Sequence, residues 1–233
     1  MTGGRVLLNM DLGELPNEPE VLYELADIAN VACGGHAGDE VSMRRAVGLC
    51  RDHRTTLGAH PSYPDREGFG RTASRMSAAA LRQSVAEQCS LLAAIARTLG
   101  EAISSVKPHG ALYHVAGSDV PTAEALVQGA LESLGPNITM VGPPHGALAE
   151  TAARRKVRYA REGFADRAIR PDGSLVPRGR EGALLVDPAA AAERARELAS
   201  SGRFETICVH GDTPGAEKIA RAVRRMLDAI RAT

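Results

Sequence analysis

The sequence contains no tryptophan, and aromatic residues make up only 3% of its 233 positions. Single-stranded nucleic acids are held largely by stacking bases on aromatic side chains, so this composition argues against such a surface. Charge of one sign is also missing: Lys plus Arg and Asp plus Glu number 28 each, and the isoelectric point is near 7. Neither a nucleic-acid groove nor a polybasic membrane anchor has the excess it needs. No apolar stretch approaches the roughly 20 residues of a membrane span. The apolar run within "MTGGRVLLNMDLGE" is too short for a secretory signal and leads into acid. The expectation is a cytoplasmic chain with neither nucleic acid nor membrane as partner.

Cysteine is scarce. Cys33, Cys50, Cys89 and Cys208 form no C-x-x-C pair, which excludes the usual structural zinc and thioredoxin-like patterns. G-x-S-x-G is absent, which removes the serine hydrolase signature. G-x-x-x-x-G-K-[ST] is absent as well, and "GFGRTA" has two glycines but not the third of a dinucleotide loop.

What is present is a rhythm. Apolar runs at Arg5–Met10, Asp27–Ala32, Thr55–Ala59, Ile103–Lys107, Ile138–Val141, Val157–Arg161 and Thr206–Val209 read as strands. Between them apolar residues recur at helical spacing, as in Met43, Ala46, Val47 and Cys50, or Leu126, Ala130 and Leu134. Ser77 to Leu99 is the longest helix, capped by Ser77 and closed by Gly100, and helices from about Ala189 to Ser200 and Pro214 to Ala232 end the chain. Strand then helix, about seven times over, predicts one α/β domain spanning the chain, with a mostly parallel sheet. A β/α barrel fits that count, and an open doubly wound sheet competes. Two long inserts, Tyr63 to Arg75 and Phe164 to Asp187, read as binding loops, the second with a turn at Pro171-Asp172-Gly173.

Every predicted strand hands over to a polar, glycine-containing turn. These carry Asn9, Asp11 and Glu14; Asn30, His36 and Asp39; His60; Lys107, His109, Tyr113 and His114; His145; Glu162, Asp166 and Arg167; and His210 and Asp212. Six of the seven histidines follow a strand, while His53 reads as structural. In a parallel β/α fold all these ends face one mouth. Carboxylates beside imidazoles suit acid–base chemistry near neutral pH. Asp11, His36, Asp39 and His60 also make a candidate set for one divalent metal, although no H-x-x-x-H spacing supports it.

In order along the chain stand "MDLGE", "ANVACGGHAGD", "GAHPSYPDREGFGR", "VKPHGALYH", "EGFADRA", "LVPR" and "CVHGDTPGA". From about Leu7 to Leu227 the sequence resembles the LamB/YcsF family of lactam-utilisation proteins, the A subunits of bacterial 5-oxoprolinase. The resemblance implies an irregular, about seven-stranded β/α barrel of the glycoside hydrolase/deacetylase type. It implies ATP as co-substrate for opening the lactam 5-oxoproline to glutamate, and partner subunits B and C. It leaves a homo-oligomer open. Departures from the family pattern include "ELPNEPE" after "MDLG", Met10, Gly35, Thr72 and His114.

Lactam opening needs a base for water, an acid for the departing nitrogen, and cations for phosphate and carboxylate. By the resemblance, Asp11 or His60 is the base, His109 the proton donor, and Lys107 and Arg71 the anion partners. Arg167 and Arg178 reach in from the insert, and His36 and Asp39 position water or a metal. Asn9, Asn30, Tyr113, Asp166, His210 and Asp212 complete the substrate side. Within "VKPHGALYH", Ile103–Lys107 is expected to be a central strand ended by Pro108, with Gly110 passing close to the ligand. A metal-dependent deacetylase or amidohydrolase working without ATP, and a non-catalytic scaffold role within the complex, are the competing readings.

Overall fold

Alternation within the strands sets the architecture. In β1 (Leu7–Leu12) Leu8, Met10 and Leu12 pack into the main hydrophobic core, while Asn9 and Asp11 between them are equally buried but polar. Successive side chains of a strand point to opposite faces. One face of β1 therefore meets helices and the other meets a polar interior. The computed structural model, which describes residues 5–170 and 175–231, closes this sheet on itself.

The strands after β1 are β2 (Ile28–Ala32), β3 (Thr56–His60), β4 (Ser105–Val106), β5 (Thr139–Gly142), β6 (Arg158–Phe164) and β7 (Thr206–His210). They run in sequence order around a closed parallel barrel, and β7 pairs back onto β1 with Asp11 opposite His210. On the other side Asp11 is level with Asn30 of β2, and Ala32 of β2 is level with His60 of β3. The helices are α1 (Val21–Leu25), α2 (Glu40–His53), α3 (Ala78–Thr98), α4 (Gly110–Ser118), α5 (Val120–Leu134), α6 (Ala147–Arg154), α7 (Pro188–Ser200) and α8 (Ala216–Arg231). Their apolar faces, with Val47, Leu92, Leu126 and Val223 fully buried, cover outward-facing Leu8, Val31, Leu57, Val106 and Ile207. Each such side chain contributes about 1.5–3 kcal/mol by leaving water.

Seven strands and a barrel agree with the sequence, and the open sheet is excluded. Boundaries shift in an instructive way. β6 runs on to Phe164 because Glu162, Gly163 and Phe164 pair with β7. The expected strand at Ile103–Lys107 shrinks to Ser105–Val106, hydrogen-bonded between β3 and β5, with Pro108 just beyond. Apolar periodicity in the sequence does not mark the short α1, nor α4 and α6. In the second insert, Arg167 pairs antiparallel with Leu184 and Ile169 with Leu175. The turn expected at Pro171-Asp172-Gly173 lies outside the described residues.

Gly110 has a packing role beside its expected part. It opens α4 at φ +55°, and a Cβ there would come 2.5 Å from the carbonyl of Gly70. It makes room for the first insert, and it also lines the cavity. Gly35 is similarly constrained, since a Cβ would meet Gln88 Oε1 and Ser62 Oγ at 2.4 Å. The Gln88 amide fills that space, accepting from Ser62 N–H and donating to Ser62 O.

Candidate active site

The inward residues of the barrel build a polar floor at the C-terminal ends of the strands. Asn30 donates to Asn9 and to Asp11 Oδ1, and Asn9 donates to Thr206 across the β1–β7 seam. Lys107, fully enclosed, stands over this layer. Its Nζ lies 2.9 Å from Asp11 Oδ1, 2.8 Å from Glu162 Oε1 and 3.0 Å from Cys208 Sγ. Burial disfavours the ammonium, but Asp11, Cys208 and Glu162 outweigh it and hold the Lys107 pKa well above its usual value. Burial likewise opposes the Asp11 carboxylate, and His60 and Lys107 overcome it, keeping Asp11 ionised. Burial, with the charge of Glu162, pushes the Tyr113 phenol up.

Beside this floor sits a cluster of imidazoles. His60, on the last residue of β3, donates through Nδ1–H to the carbonyl of Lys107 at 2.7 Å. His109, just after β4, donates through Nε2–H to the carbonyl of Phe69 at 2.9 Å. A carbonyl only accepts, so His60 Nδ1 and His109 Nε2 each carry a proton. Phe69, at φ +53°, and Gly70, at φ +65°, belong to the "GFGRT" loop, which covers the cluster. A Cβ on Gly70 would stand 2.9 Å from His109 and from His36. Gly70 thus serves close packing over imidazoles, while Gly68 makes room for the Asp65 carboxylate, which accepts its N–H. His36 stacks on His109 at 3.6 Å and sits 2.9 Å from Glu14 Oε1. Burial lowers the His36 pKa to about 4 despite Glu14.

On the opposite wall Asp166 accepts the His210 ring Nδ1–H and backbone N–H at 3.0 Å each, and the Thr213 hydroxyl at 2.7 Å. His210 Nε2 is thereby left facing Asp11 Oδ2, 3.8 Å away. Around the rim stand Arg71, Arg167 and Arg178. Arg71 and Arg178 both pair with Asp212, and Arg167 donates to the carbonyl of Val176. Asp11, His60, Lys107, His109, Tyr113, His210 and these rim groups bound one cavity of about 440 Å³. That lies within the roughly 300–1,000 Å³ of small-molecule sites. Four buried acids surround its base: Asp11 and Glu162 pair with Lys107, Glu14 with His36, His60 and His109, and Asp166 with His210. Its mouth carries three guanidiniums against one carboxylate.

Most strand-end residues named from the sequence converge here, Asn9 and Asn30 as the layer beneath. Two do not. Asp39 is the N-cap of α2, where it and Ser42 form a reciprocal capping box on the surface. The candidate metal set containing Asp39 is therefore corrected: Asp39 satisfies helix N–H groups at the protein exterior. His145 is exposed and bounds no part of the cavity, and His114 lies at the rim. His53 pairs with Glu20 on the outside. Glu14 and Glu162 carried no role in the sequence reading, yet both side chains are almost fully buried in the floor. Their only sequence signal was their place in "MDLGE" and "REGFADR". All four cysteines are free and buried. Among the described residues no helix is long and apolar enough to cross a membrane.

The fold and the cavity define a closed parallel β/α-barrel protein with an acid–imidazole–ammonium site at the strand C-termini. The chain belongs to the LamB/YcsF family, whose model matches residues 6–233. It is 41% identical to the A subunit of 5-oxoprolinase from Methylococcus capsulatus, over 95% of this chain and 92% of that protein. It is 39% identical to the A subunit of 5-oxoprolinase from Pyrococcus abyssi, over 96% and 94%. The crystal structure of a lactam utilization protein from Thermus thermophilus superimposes with a TM-score of 0.89 at 33% identity, covering 97% of both chains.

Proposed function

We propose that this chain is the A subunit of an ATP-dependent 5-oxoprolinase that acts with partner subunits B and C. The observation that carries the reading is the polarity of the cavity, cationic at the mouth and acid–imidazole at the floor. The relatives named as 5-oxoprolinase A subunits support it.

An unstrained lactam is a poor electrophile. Phosphoryl transfer from ATP to the lactam oxygen gives an imidate phosphate and ADP, and the sequence motifs suggest that the partners supply this step. Water then adds to the imidate carbon, and the ring C–N bond breaks as the nitrogen takes a proton and leaves as an amine. A second water converts the resulting acyl phosphate to the glutamate carboxylate and phosphate. In this scheme the rim arginines, Arg71, Arg167 and Arg178, hold the phosphoryl and carboxylate groups. Arg167 fits the part because its buried Nε has no hydrogen-bond partner among the described residues. Asp11 or His60 orients and deprotonates water. The proton donor is better placed at His210 than at His109, because protein groups engage both ring nitrogens of His109.

The test is reconstitution. The chain is mixed with and without subunits B and C, and glutamate and ADP from 5-oxoproline are followed. Equal amounts of both products, only when all subunits are present, are expected. Hydrolysis of an N-acyl substrate by the chain alone, without ATP, would replace this reading with the amidohydrolase one. Full turnover with Lys107 and His60 both substituted would replace it with the scaffold one.

A further inference from the structure

We infer that Glu14, His60 and His109 form a binding site for one divalent transition-metal cation, with His36 as the residue that positions Glu14. The starting point is a contact that neutral groups cannot sustain. Each of His60 and His109 donates one ring N–H to a backbone carbonyl and turns its other nitrogen inward. Those nitrogens, His60 Nε2 and His109 Nδ1, face each other at 3.0 Å. Glu14 Oε1 completes the triangle, 3.2 Å from His109 Nδ1 and 3.6 Å from His60 Nε2. Three possible ligand atoms thus converge in a buried floor that also holds Asp11, which faces His60 Nε2 at 3.4 Å.

The size of the triangle fits a metal. Ligand atoms bound at 2.0–2.1 Å in a tetrahedron are about 3.3 Å apart, and the three separations bracket that value. Backbone carbonyls on the far nitrogens are the outer partners that metal-bound histidines characteristically have. Two imidazoles and one carboxylate suit Zn²⁺ or Co²⁺ better than Mg²⁺ or Ca²⁺. Three protein ligands leave a fourth position, and two of the three, His60 and His109, also line the cavity. Such a site activates water or polarises a carbonyl oxygen.

His36 belongs to this group without being a ligand. Its ring lies 3.6 Å from that of His109 and within 2° of parallel, so the in-plane lone pairs of the two rings cannot meet at one ion. Glu14 accepts from His36 Nε2–H at 2.9 Å, and His36 Nδ1 is left buried without a partner among the described residues. That hydrogen bond aims Oε1 at the two nitrogens.

The test reads binding on the isolated full-length chain, so it stands apart from the lactam reaction and from subunits B and C. Chain stripped with EDTA is titrated calorimetrically with Zn²⁺, and its visible spectrum is followed with Co²⁺. One equivalent of each ion is expected to bind. Glu14→Gln and His60→Asn are expected to abolish saturable binding. His36→Phe keeps the ring stack but lacks the donor, and is expected to weaken binding by roughly 10–100-fold. His53→Asn, outside the site, should bind as the parent does. Absence of saturable binding of either ion to the parent, or binding indifferent to Glu14→Gln and His60→Asn in chains with parental circular dichroism, would overturn the site. If those variants do not fold, X-ray absorption of the Co²⁺-loaded parent decides. A shell of nitrogen and oxygen is expected. A sulfur ligand would place the ion at Asp11, Cys208 and His210 and refute the proposal.

Discussion

Asp166 accepts hydrogen bonds from both the ring and the backbone of His210. The contact fixes the tautomer of a histidine whose other nitrogen looks across the cavity at Asp11. A carboxylate that holds an imidazole this way stabilises its charged form during proton transfer. Asp166→Asn is therefore expected to keep the fold and lower kcat of the reconstituted complex by about 10²–10⁴, the range of general acid–base catalysis. Steady-state rates beside thermal melting of the same preparations check this. An unchanged kcat with a lowered Tm would make the pair structural.

Lys107→Met is expected to destabilise as well as inactivate. It strands Asp11 and Glu162 in the floor without their shared cation. Removing one partner of a buried pair costs about 3–5 kcal/mol. Urea unfolding should show the loss at pH 7. The double change Lys107→Met with Glu162→Gln should recover part of it, because one stranded charge is gone.

His109→Asn is expected to fold and to lower turnover of the complex by less than Asp166→Asn does, because it removes an imidazole held between His60 and the Phe69 carbonyl at the cavity wall and not the proton donor. A variant that melts far below the parent yet turns over normally in the cold would assign His109 to structure alone. The isolated chain should hydrolyse ATP negligibly, with or without 5-oxoproline. Lactam-stimulated ATPase activity of the single chain would refute that.

Acid stability should depend on Asp27, which joins the start of β1 to α8. Burial raises its pKa, but the Leu8 N–H, Arg224 and Arg5 more than reverse this, and the net shift is downward. A carboxylate whose folded pKa is depressed contributes stability above its unfolded pKa, near 3.9, and loses it as pH falls through the folded value. Asp27→Asn should thus melt below the parent at pH 7. The two melting curves should approach each other as pH drops below about 4. A gap independent of pH would show that packing, not charge, accounts for the difference.

Much of this was decided locally. Alternation in "LLNMDL", helical spacing in Met43 to Cys50 and the Ser77 cap are short-range properties, and they marked the seven strands and the longer helices. Parallel strands place all their C-terminal turns at one end, so convergence of Asp11, His60, Lys107, His109 and His210 followed from the strand count alone. Which atoms meet was decided by closure of the barrel. Lys107 reaches Asp11 across 96 positions of chain, and Asp166 reaches His210 across 44. No local pattern encodes those distances. The same holds for residues whose part changed. Asp39 and Glu14 are both acids just beyond a strand, but the chain after Asp39 continues into a helix whose N–H groups claim it, while the turn at Gly13 swings Glu14 inward to the imidazoles. Sequence supplied the candidates at one mouth. Tertiary packing separated floor from rim, cap from ligand, and enclosed from exposed, because burial and pairing of charge exist only once the barrel has closed.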